Sequence, residues 1–194
     1  IDSTILPLEQ QAYVQSILGN NPMAVQARAA KTRSKDLLAR YADFQTHYPG
    51  ILVQSVVGEA LFELSAASML GYDEASVRAA LRPLADSLIR IDWNRRQLDT
   101  EWAKLFSTAG IVEVLNLSNS SFTAGDLTLL LSRMRELKKV NLTGTDFSDE
   151  QIEGIRSNSS IETIVLTDTQ LSELGYRKLR SYLPSAEIIS NYSM

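Results

Sequence analysis

Apolar residues recur along this chain with two alternating spacings, one typical of a strand and one typical of a helix. In the stretch LKKVNLTGTDFSDEQIEGI, the strand-type positions and the residue five places further on are Leu137, Val140, Leu142 and Phe147. Ile152 and Ile155 then follow at helical spacing. The pattern predicts a short strand, a turn over the Gly-Thr pair and a return helix.

Other stretches of the chain repeat this pattern. The same offsets fall on Leu88, Ile91, Trp93 and Leu98, on Val112, Leu115, Leu117 and Phe122, and on Ile161, Ile164, Leu166 and Leu171. Successive copies are 24 or 25 residues apart. A less regular copy starts at Leu61 and continues with Leu64 and Ala66, and an extra residue must be absorbed before its helix.

A repeat of this length indicates a solenoid, because a strand with its return helix buries its apolar face only when units stack. The spacing L-x-x-L-x-L, followed by an apolar residue five positions on, resembles the leucine-rich repeat family over roughly residues 60 to 184. The units are similar to the short, Thr-type repeats of environmental bacteria. The resemblance implies an α/β solenoid, with parallel strands on a concave face and return helices behind them.

One position departs from the family pattern. The place three residues after the last strand leucine, where the family usually carries a ladder asparagine, holds Arg96, Ser120, Thr145 and Thr169. We expect a hydroxyl there to accept a backbone N–H and support the turn. Arg96 is less suited to that buried place, so the turn of its unit is in doubt.

Helix starts are indicated by residues that cap them. Ser148 and Gln151 have the spacing of a capping box. Thr123 with Asp126 is a weaker version, and Asp99 is a candidate cap before Trp102. The apolar residues behind these caps, including both tryptophans, are interpreted as core rather than as a ligand cage.

The chain divides into a helical part and a repeat part. Residues 1–48 predict a helical N-terminal cap or linker, with a short helix in LPLEQQAYVQSILGNNP and a second helix ending near Tyr48, before Pro49-Gly50. Residues 49–194 begin with a strand in ILVQSVV and form the repeat domain. Its units are expected at 61–85, 86–110, 111–134, 135–158 and 159–184, followed by a C-terminal cap strand in SAEIIS.

Composition excludes several classes of protein. The 194 residues are 44% apolar and carry a formal charge of −4, which argues against nucleic acid as the main partner. The basic stretch QARAAKTRSKDLLAR is interpreted as a solvated helix face. There is no cysteine and no apolar run long enough for a transmembrane helix. The chain begins with Ile1 rather than Met, so we expect it to be part of a longer product.

No catalytic or metal-binding pattern is present in the sequence. His47 is the only histidine. The phosphate-binding motifs G-x-x-x-x-G-K-[ST] and G-x-G-x-x-G do not occur. We therefore predict no enzymatic activity, no metal site and no cofactor. N-x-[ST] matches occur at Asn116, Asn119, Asn141, Asn158 and Asn191, and all five are interpreted as coincidences. The matches at Asn116 and Asn141 arise from the repeat itself, because their middle residue is the core leucine of a strand.

Candidate binding residues come from the strands, because parallel strands about 4.8 Å apart align their side chains in rows. The first predicted row contains Arg90, Val114, Lys139 and Thr163, the second contains Asp92, Asn116, Asn141 and Val165, and the third contains Asn94, Ser118, Thr143 and Thr167. The rows form a polar strip with a basic edge. No aromatic anchor lies in them, which indicates a weak or small interface.

These features favour a non-catalytic protein-interaction module within a larger secreted or membrane-tethered bacterial protein. The expected partner is another protein or a neighbouring domain, and the expected location is periplasmic or extracellular, with a cytoplasmic one left open. One alternative is a structural spacer or cap beside another domain, such as the c-type cytochrome domains that the resemblance implies as neighbours. Another is a weak carbohydrate-binding surface on the polar strip.

Overall fold

A computed structural model describes residues 22–56, 59–156 and 158–192. The α-helices in this part of the chain are α1 (Pro22–His47), α2 (Glu74–Leu81), α3 (Thr100–Phe106), α4 (Ala124–Arg133), α5 (Ile152–Arg156) and α6 (Glu173–Tyr182). Short 3₁₀ turns cover Ala66–Met69, Arg82–Ser87 and Asp149–Gln151. The helix predicted in LPLEQQAYVQSILGNNP lies almost entirely outside the described residues.

The strands form one large sheet and one small one. They are β1 (Leu52–Gln54), β2 (Phe62–Ser65), β3 (Leu88–Asp92), β4 (Gln97–Leu98), β5 (Val114–Asn116), β6 (Ser121–Phe122), β7 (Lys139–Asn141), β8 (Thr163–Leu166) and β9 (Glu187–Ser190). The large sheet has the order β1-β2-β3-β5-β7-β8-β9, and β4 pairs with β6. Every pairing is parallel except that of β1 with β2. The predicted α/β class is therefore confirmed, with a mostly parallel sheet.

The core lies between the sheet and the helices. The predicted strand residues of the four regular copies are buried, apart from the half-buried Phe122. Behind the sheet, α3 packs against α4, α4 against α5, and α5 against α6. Trp93 and Trp102 are both fully buried, with ring centroids 4.6 Å apart. Their prediction as core residues is confirmed.

The predicted helix caps are present. Asp99 accepts the N–H of Trp102 at 2.9 Å, and Thr123 accepts that of Asp126 at 3.1 Å. The capping box joins Ser148 and Gln151, whose side-chain oxygen accepts the Ser148 N–H at 2.5 Å. Each cap provides a partner for an N–H group that the first helical turn leaves unbonded.

The turns after the strands share one backbone conformation. Arg95, Asn119 and Asp168 have φ angles of 57°, 55° and 53°, and Gly144 has 66°. The N–H of Arg95 donates to the Ser118 carbonyl, and the N–H groups of Asn119 and Gly144 make the corresponding bonds one and two units further on. The turn with Arg96 is therefore as regular as the others, contrary to the doubt raised by its sequence.

Arg96 is accommodated by contacts that a hydroxyl could not make. Its Nη1 donates to the Ala66 carbonyl at 3.4 Å, and its guanidinium pairs with Glu74 and lies 5.5 Å from the centre of the Trp93 ring. The long side chain reaches the edge of the preceding unit, so the charge is paired rather than buried alone.

The hydroxyls at the equivalent positions mostly act in the opposite sense to the prediction. Ser120 donates to the Trp93 carbonyl at 2.7 Å, and Thr169 donates to the Leu166 carbonyl at 2.9 Å. Thr145 donates to the Leu142 carbonyl at 2.6 Å and also accepts the Phe147 N–H at 3.4 Å. The prediction of a hydroxyl acceptor is wrong for Ser120 and Thr169, because the strand-end carbonyl needs a donor.

The first, less regular copy is shifted by one residue at its start. Phe62, not Leu61, pairs with Leu88, and the register breaks between Phe62 and Glu63. Phe62 is fully buried and stacks on Tyr41 of α1, with ring centroids 4.8 Å apart, while Leu61 is half-buried. The prediction of Leu61 as the first core residue is wrong, because the larger ring of Phe62 fills the space beneath α1.

The large sheet ends with an antiparallel strand, β1, on one side and with a parallel strand, β9, on the other. α1 ends at His47, as its pattern predicts, and Gly50 turns the chain with a φ of 81°. Among the described residues of ILVQSVV, the predicted strand forms at Leu52–Gln54. At the other end β9 continues the parallel order, as expected for SAEIIS, and buries Ile188.

The Asp149 side chain forms hydrogen bonds between the 3₁₀ turn Asp149–Gln151 and Ser172, the residue that caps the start of α6. Its carboxylate accepts the Ser172 hydroxyl at 2.5 Å and the Ser172 N–H at 2.9 Å. These two hydrogen bonds lower the pKa of Asp149 below its usual value of 3.8. Because the folded-state pKa is lowered, the contribution to stability is present above that usual value and is lost as the pH falls below it.

We expect Asp149→Asn to lower the melting temperature by about 2 °C at pH 7, the size of one exposed charged hydrogen bond in a chain of this length. The difference from the parent should shrink as the pH falls below 3.8 and through the lowered folded-state pKa, because the parent carboxylate then becomes protonated. Thermal melts followed by circular dichroism at pH 7 and pH 3 measure both effects. Glu150→Gln, beside it on the exposed surface, is the matched control. A constant difference at both pH values would contradict the assignment.

Candidate functional site on the strand face

The sheet brings the predicted binding residues together on its outer face. The first row runs Glu63, Arg90, Val114, Lys139, Thr163 and Glu187, each opposite the next on the adjacent strand. The second row runs Ser65, Asp92, Asn116, Asn141, Val165 and Ile189 in the same way. We call the surface formed by these two rows and by Asn94, Ser118, Thr143 and Thr167 the strand face.

A groove crosses the middle of the strand face. It has a volume of about 340 Å³, and its outward-facing lining consists of Arg90, Asp92, Val114, Asn116, Lys139, Asn141, Thr163 and Val165. Arg90 and Lys139 are exposed, and the other lining residues on these rows are half-buried. The groove therefore offers polar and cationic groups around a small apolar centre formed by Val114 and Val165.

The second row also has a structural role that the sequence did not indicate. Asn116 accepts the Ser118 N–H at 3.1 Å, and Asn141 accepts the Thr143 N–H at 3.0 Å. Asp92 makes the equivalent bond to the Asn94 N–H at 3.4 Å. A short side chain that bonds to the backbone two residues on is typical of an Asx turn. These residues therefore help to end each strand as well as line the groove.

The second and third rows are joined by further side-chain bonds. Asp92 accepts hydrogen bonds from Nδ2 of Asn94 at 2.6 Å and from Nδ2 of Asn116 at 2.9 Å. Oγ1 of Thr143 lies 2.7 Å from the Asn141 side-chain oxygen and 3.1 Å from Oγ1 of Thr167. Of the third row, Ser118 makes no side-chain hydrogen bond within the described part of the chain. The polar strip is therefore largely preorganised.

Charge on the strand face is mixed. Arg90 lies 3.6 Å from the Glu63 carboxylate. Lys138, next to Lys139 in the chain but outside the strand face, lies 2.9 Å from the Glu113 carboxylate, and the hydrogen bond that it donates there raises the pKa of Lys138. Lys139 forms no ion pair with any residue in the ranges that the structure describes. It is thus an unpaired cation in the middle of the groove.

The predicted rows cover the four regular copies, so sequence reasoning missed Glu63 and Glu187 in the first row and Ser65 and Ile189 in the second. Glu63 precedes Leu64 as Arg90 precedes Ile91, and its carboxylate lies 3.6 Å from Arg90. The row spacing, applied to the irregular first copy, was the signal that could have identified Glu63.

Other features of the described residues do not form a second site. No group of three or more acidic or histidine side chains suited to a metal ion occurs among them. His47 is exposed at the end of α1, where its Nδ1 lies 3.0 Å from the Asp43 carbonyl. Within the same residues, no helix combines the length and apolar character that a membrane span requires.

A scan of the chain against protein-family models gives no match, and a search of curated proteins gives none. The geometry of the strand face is therefore the basis for a functional conclusion.

Proposed function

We propose that this chain is a leucine-rich repeat solenoid that acts as a non-catalytic protein-interaction module. The repeat interpretation is supported by parallel strands that occur once per predicted unit and pair in chain order from β2 to β9, omitting the short β4 and β6. It is also supported by the turn conformation that returns at Arg95, Asn119, Gly144 and Asp168.

The observation that carries the interaction role is the groove on the strand face. Its second-row polar groups, Asp92, Asn116 and Asn141, are held by hydrogen bonds before a partner arrives, which reduces the entropy lost on binding. Its centre contains two valines and no aromatic residue. Because aromatic residues commonly carry interface energy, a small or transient contact with another protein or a neighbouring domain fits this surface.

We also propose that the module belongs to a larger secreted or membrane-tethered bacterial protein, with a periplasmic or extracellular location. The support is the resemblance of its Thr-type units to short bacterial repeats. Western blotting of fractionated source cells with antibody to this chain tests this part. A membrane-fraction band much larger than 21.5 kDa is the expected result, and a band of this size in the cytoplasmic fraction would contradict it.

A structural spacer is the second candidate. The bonds of Asp92, Asn116 and Asn141 to the following turns favour it, because they give these polar residues a role in folding alone. Alanine at Asn116 or Asn141 would remove both a turn bond and a surface amide. A test of binding therefore has to use strand-face residues that do not hold a turn.

Photo-crosslinking tests the interaction role. A benzophenone amino acid replaces Val114 in the groove or, as the control, Leu174 on α6, which is 75% exposed. We expect a defined adduct from the Val114 position and none from the Leu174 position, after irradiation of cells that produce the native partner. Thr163→Arg, which fills the groove from two strands away in the same row, should reduce that adduct at least tenfold while the melting temperature stays unchanged.

Other crosslinking results would distinguish the interaction module from the structural spacer or contradict the interaction. Adducts of equal yield from both positions would contradict a specific strand-face interaction. A clean absence of adducts at Val114, together with an adduct to a neighbouring domain at Leu174, would favour the spacer.

A further inference from the structure

We infer that the groove of the strand face contains a subsite for one carboxylate group of an acidic side chain on the partner protein, centred on Lys139. The inference rests on the proposed function and specifies the chemistry of its partner. It is carried by three hydrogen-bond donors that line one groove and have no acceptor within the described residues: Nζ of Lys139, Nδ2 of Asn141 and Oγ1 of Thr163.

In the part of the chain that the structure describes, Asn141 leaves its amide nitrogen without an acceptor, unlike Asn116 at the equivalent position one unit earlier. Asn116 uses both ends of its amide, because Nδ2 donates to Asp92 and the oxygen accepts from Ser118. In Asn141 the oxygen accepts two bonds, from the N–H and the hydroxyl of Thr143. These bonds fix the amide, so its Nδ2 remains as a preoriented donor in the groove.

Lys139 and Thr163 lie side by side in the first row, next to Asn141 in the second row. Lys139 is two residues before Asn141 on β7, and their side chains emerge on the same face because side chains alternate along a strand. Thr163 is directly opposite Lys139 on β8. Neighbouring parallel strands are about 4.8 Å apart, so a carboxylate placed over this corner lies within reach of all three donors.

The surrounding charges favour a single carboxylate over a polyanion. Glu187 lies directly opposite Thr163 on β9, and the exposed Glu162 precedes Thr163 in the chain. Asp92 closes the other side of the groove and already accepts two side-chain amides. A second negative charge one strand away would face these carboxylates, so a dianionic phosphate or a run of acidic residues fits less well than one isolated acid.

Val114 and Val165 determine which side chains fit beside the acidic residue of the partner segment. Val114 is opposite Lys139 on β5, and Val165 is opposite Asn141 on β8. Both line the same groove. A partner segment with one acidic side chain between small apolar ones therefore matches the groove in charge and in surface.

The test uses the ¹⁵N-labelled 194-residue chain at 0.15 M NaCl and three short probes. They are acetyl-Ala-Glu-Ala-amide, its Gln counterpart and its phosphoserine counterpart. We expect the Glu peptide to shift the amide signals of Lys139, Asn141 and Thr163 saturably, with a Kd on the order of 1 mM. The Gln peptide should give no saturable shift, and the phosphoserine peptide should bind more weakly than the Glu peptide.

Lys139→Met should weaken binding of the Glu peptide by roughly tenfold, the value of one charge-assisted hydrogen bond. Lys35→Met is the matched control, because Lys35 is also exposed and forms no ion pair in the described part of the chain. Equal shifts from the Glu and Gln peptides, tighter binding of the phosphoserine peptide, or an equal loss from both lysine variants would each overturn the carboxylate subsite.

The two proposals fail in different ways. If the Val114 adduct forms and Lys139→Met leaves its yield unchanged, the strand face binds a protein without the carboxylate subsite. If the Glu peptide binds as expected and no adduct forms at Val114, the subsite exists and the proposed interaction module does not.

Discussion

Leu142→Asp is expected to abolish the cooperative unfolding of this chain at neutral pH. Leu142 is fully buried between the sheet and the helices, and its N–H and carbonyl bond to Val165 and Thr145. A carboxylate there has no cationic partner, and burying it costs more than about 4 kcal/mol. Since a natural domain is stable by only about 5 to 15 kcal/mol, we expect a largely unfolded chain.

The matched control for this experiment is Leu174→Asp. Leu174 is 75% exposed in the first turn of α6, where a carboxylate interacts favourably with the helix N-terminus. Urea titrations followed by far-ultraviolet circular dichroism should show a parent-like midpoint for the control and no folded baseline for Leu142→Asp. A Leu142→Asp variant that unfolds at the parent midpoint would refute the repeat register on which this argument depends.

Asn158→Asp is expected to cost about 3 kcal/mol or more at pH 7, although the two side chains have nearly the same shape. Asn158 is 3% exposed, and its Nδ2 donates to the carbonyls of Met134 at 2.7 Å and Leu131 at 3.2 Å. The substitution replaces this donor with a negative charge that faces two carbonyl oxygens. Both carbonyls lie at the end of α4 or just beyond it, so the cost falls on the contact between successive units.

The effect of Asn158→Asp should depend on pH. Burial and the facing carbonyls raise the pKa of the introduced carboxyl group, so its protonated form is favoured in the folded state. The destabilisation is therefore complete above that raised pKa and decreases as the pH falls through it, because the protonated group can again donate a bond. Urea midpoints of variant and parent at pH 7 and pH 4.5 measure the difference.

Asn191→Asp serves as the control, since Asn191 is exposed and only accepts a long bond from the Asp168 N–H at 3.4 Å. Its substitution should change stability by no more than about 0.5 kcal/mol. A pH-independent loss for Asn158→Asp would show that the cost does not arise from the buried charge.

Asn158 illustrates the limit of reading the repeat from its sequence. In the sequence it stands only in an N-x-[ST] match, and the corresponding places in the two preceding units hold the buried apolar residues Ala109 and Met134. An asparagine at an apolar position could equally have been exposed by a local irregularity. Its role depends on the Met134 and Leu131 carbonyls, which the fold places beside it.

The candidate site likewise combines features that the sequence predicts with features that it does not. The rows could be predicted, because equal spacing from a buried leucine puts residues at equal depth in parallel strands. Which donors remain free could not be predicted. Asn116 and Asn141 occupy the same place in their units, yet only Asn116 bonds to a carboxylate on the neighbouring strand, since only its neighbour is Asp92.

What the sequence alone determined was the strand and helix order, the buried positions of the regular copies and the helix caps. These follow from local periodicity and from hydrogen bonds that span three residues, both of which the chain displays directly. The tertiary structure decided the exchange of Leu61 for Phe62, the accommodation of Arg96 and the unpaired state of Lys139. Each of these depends on atoms brought together by the fold from residues well separated along the chain, and no local pattern encodes which partners meet there.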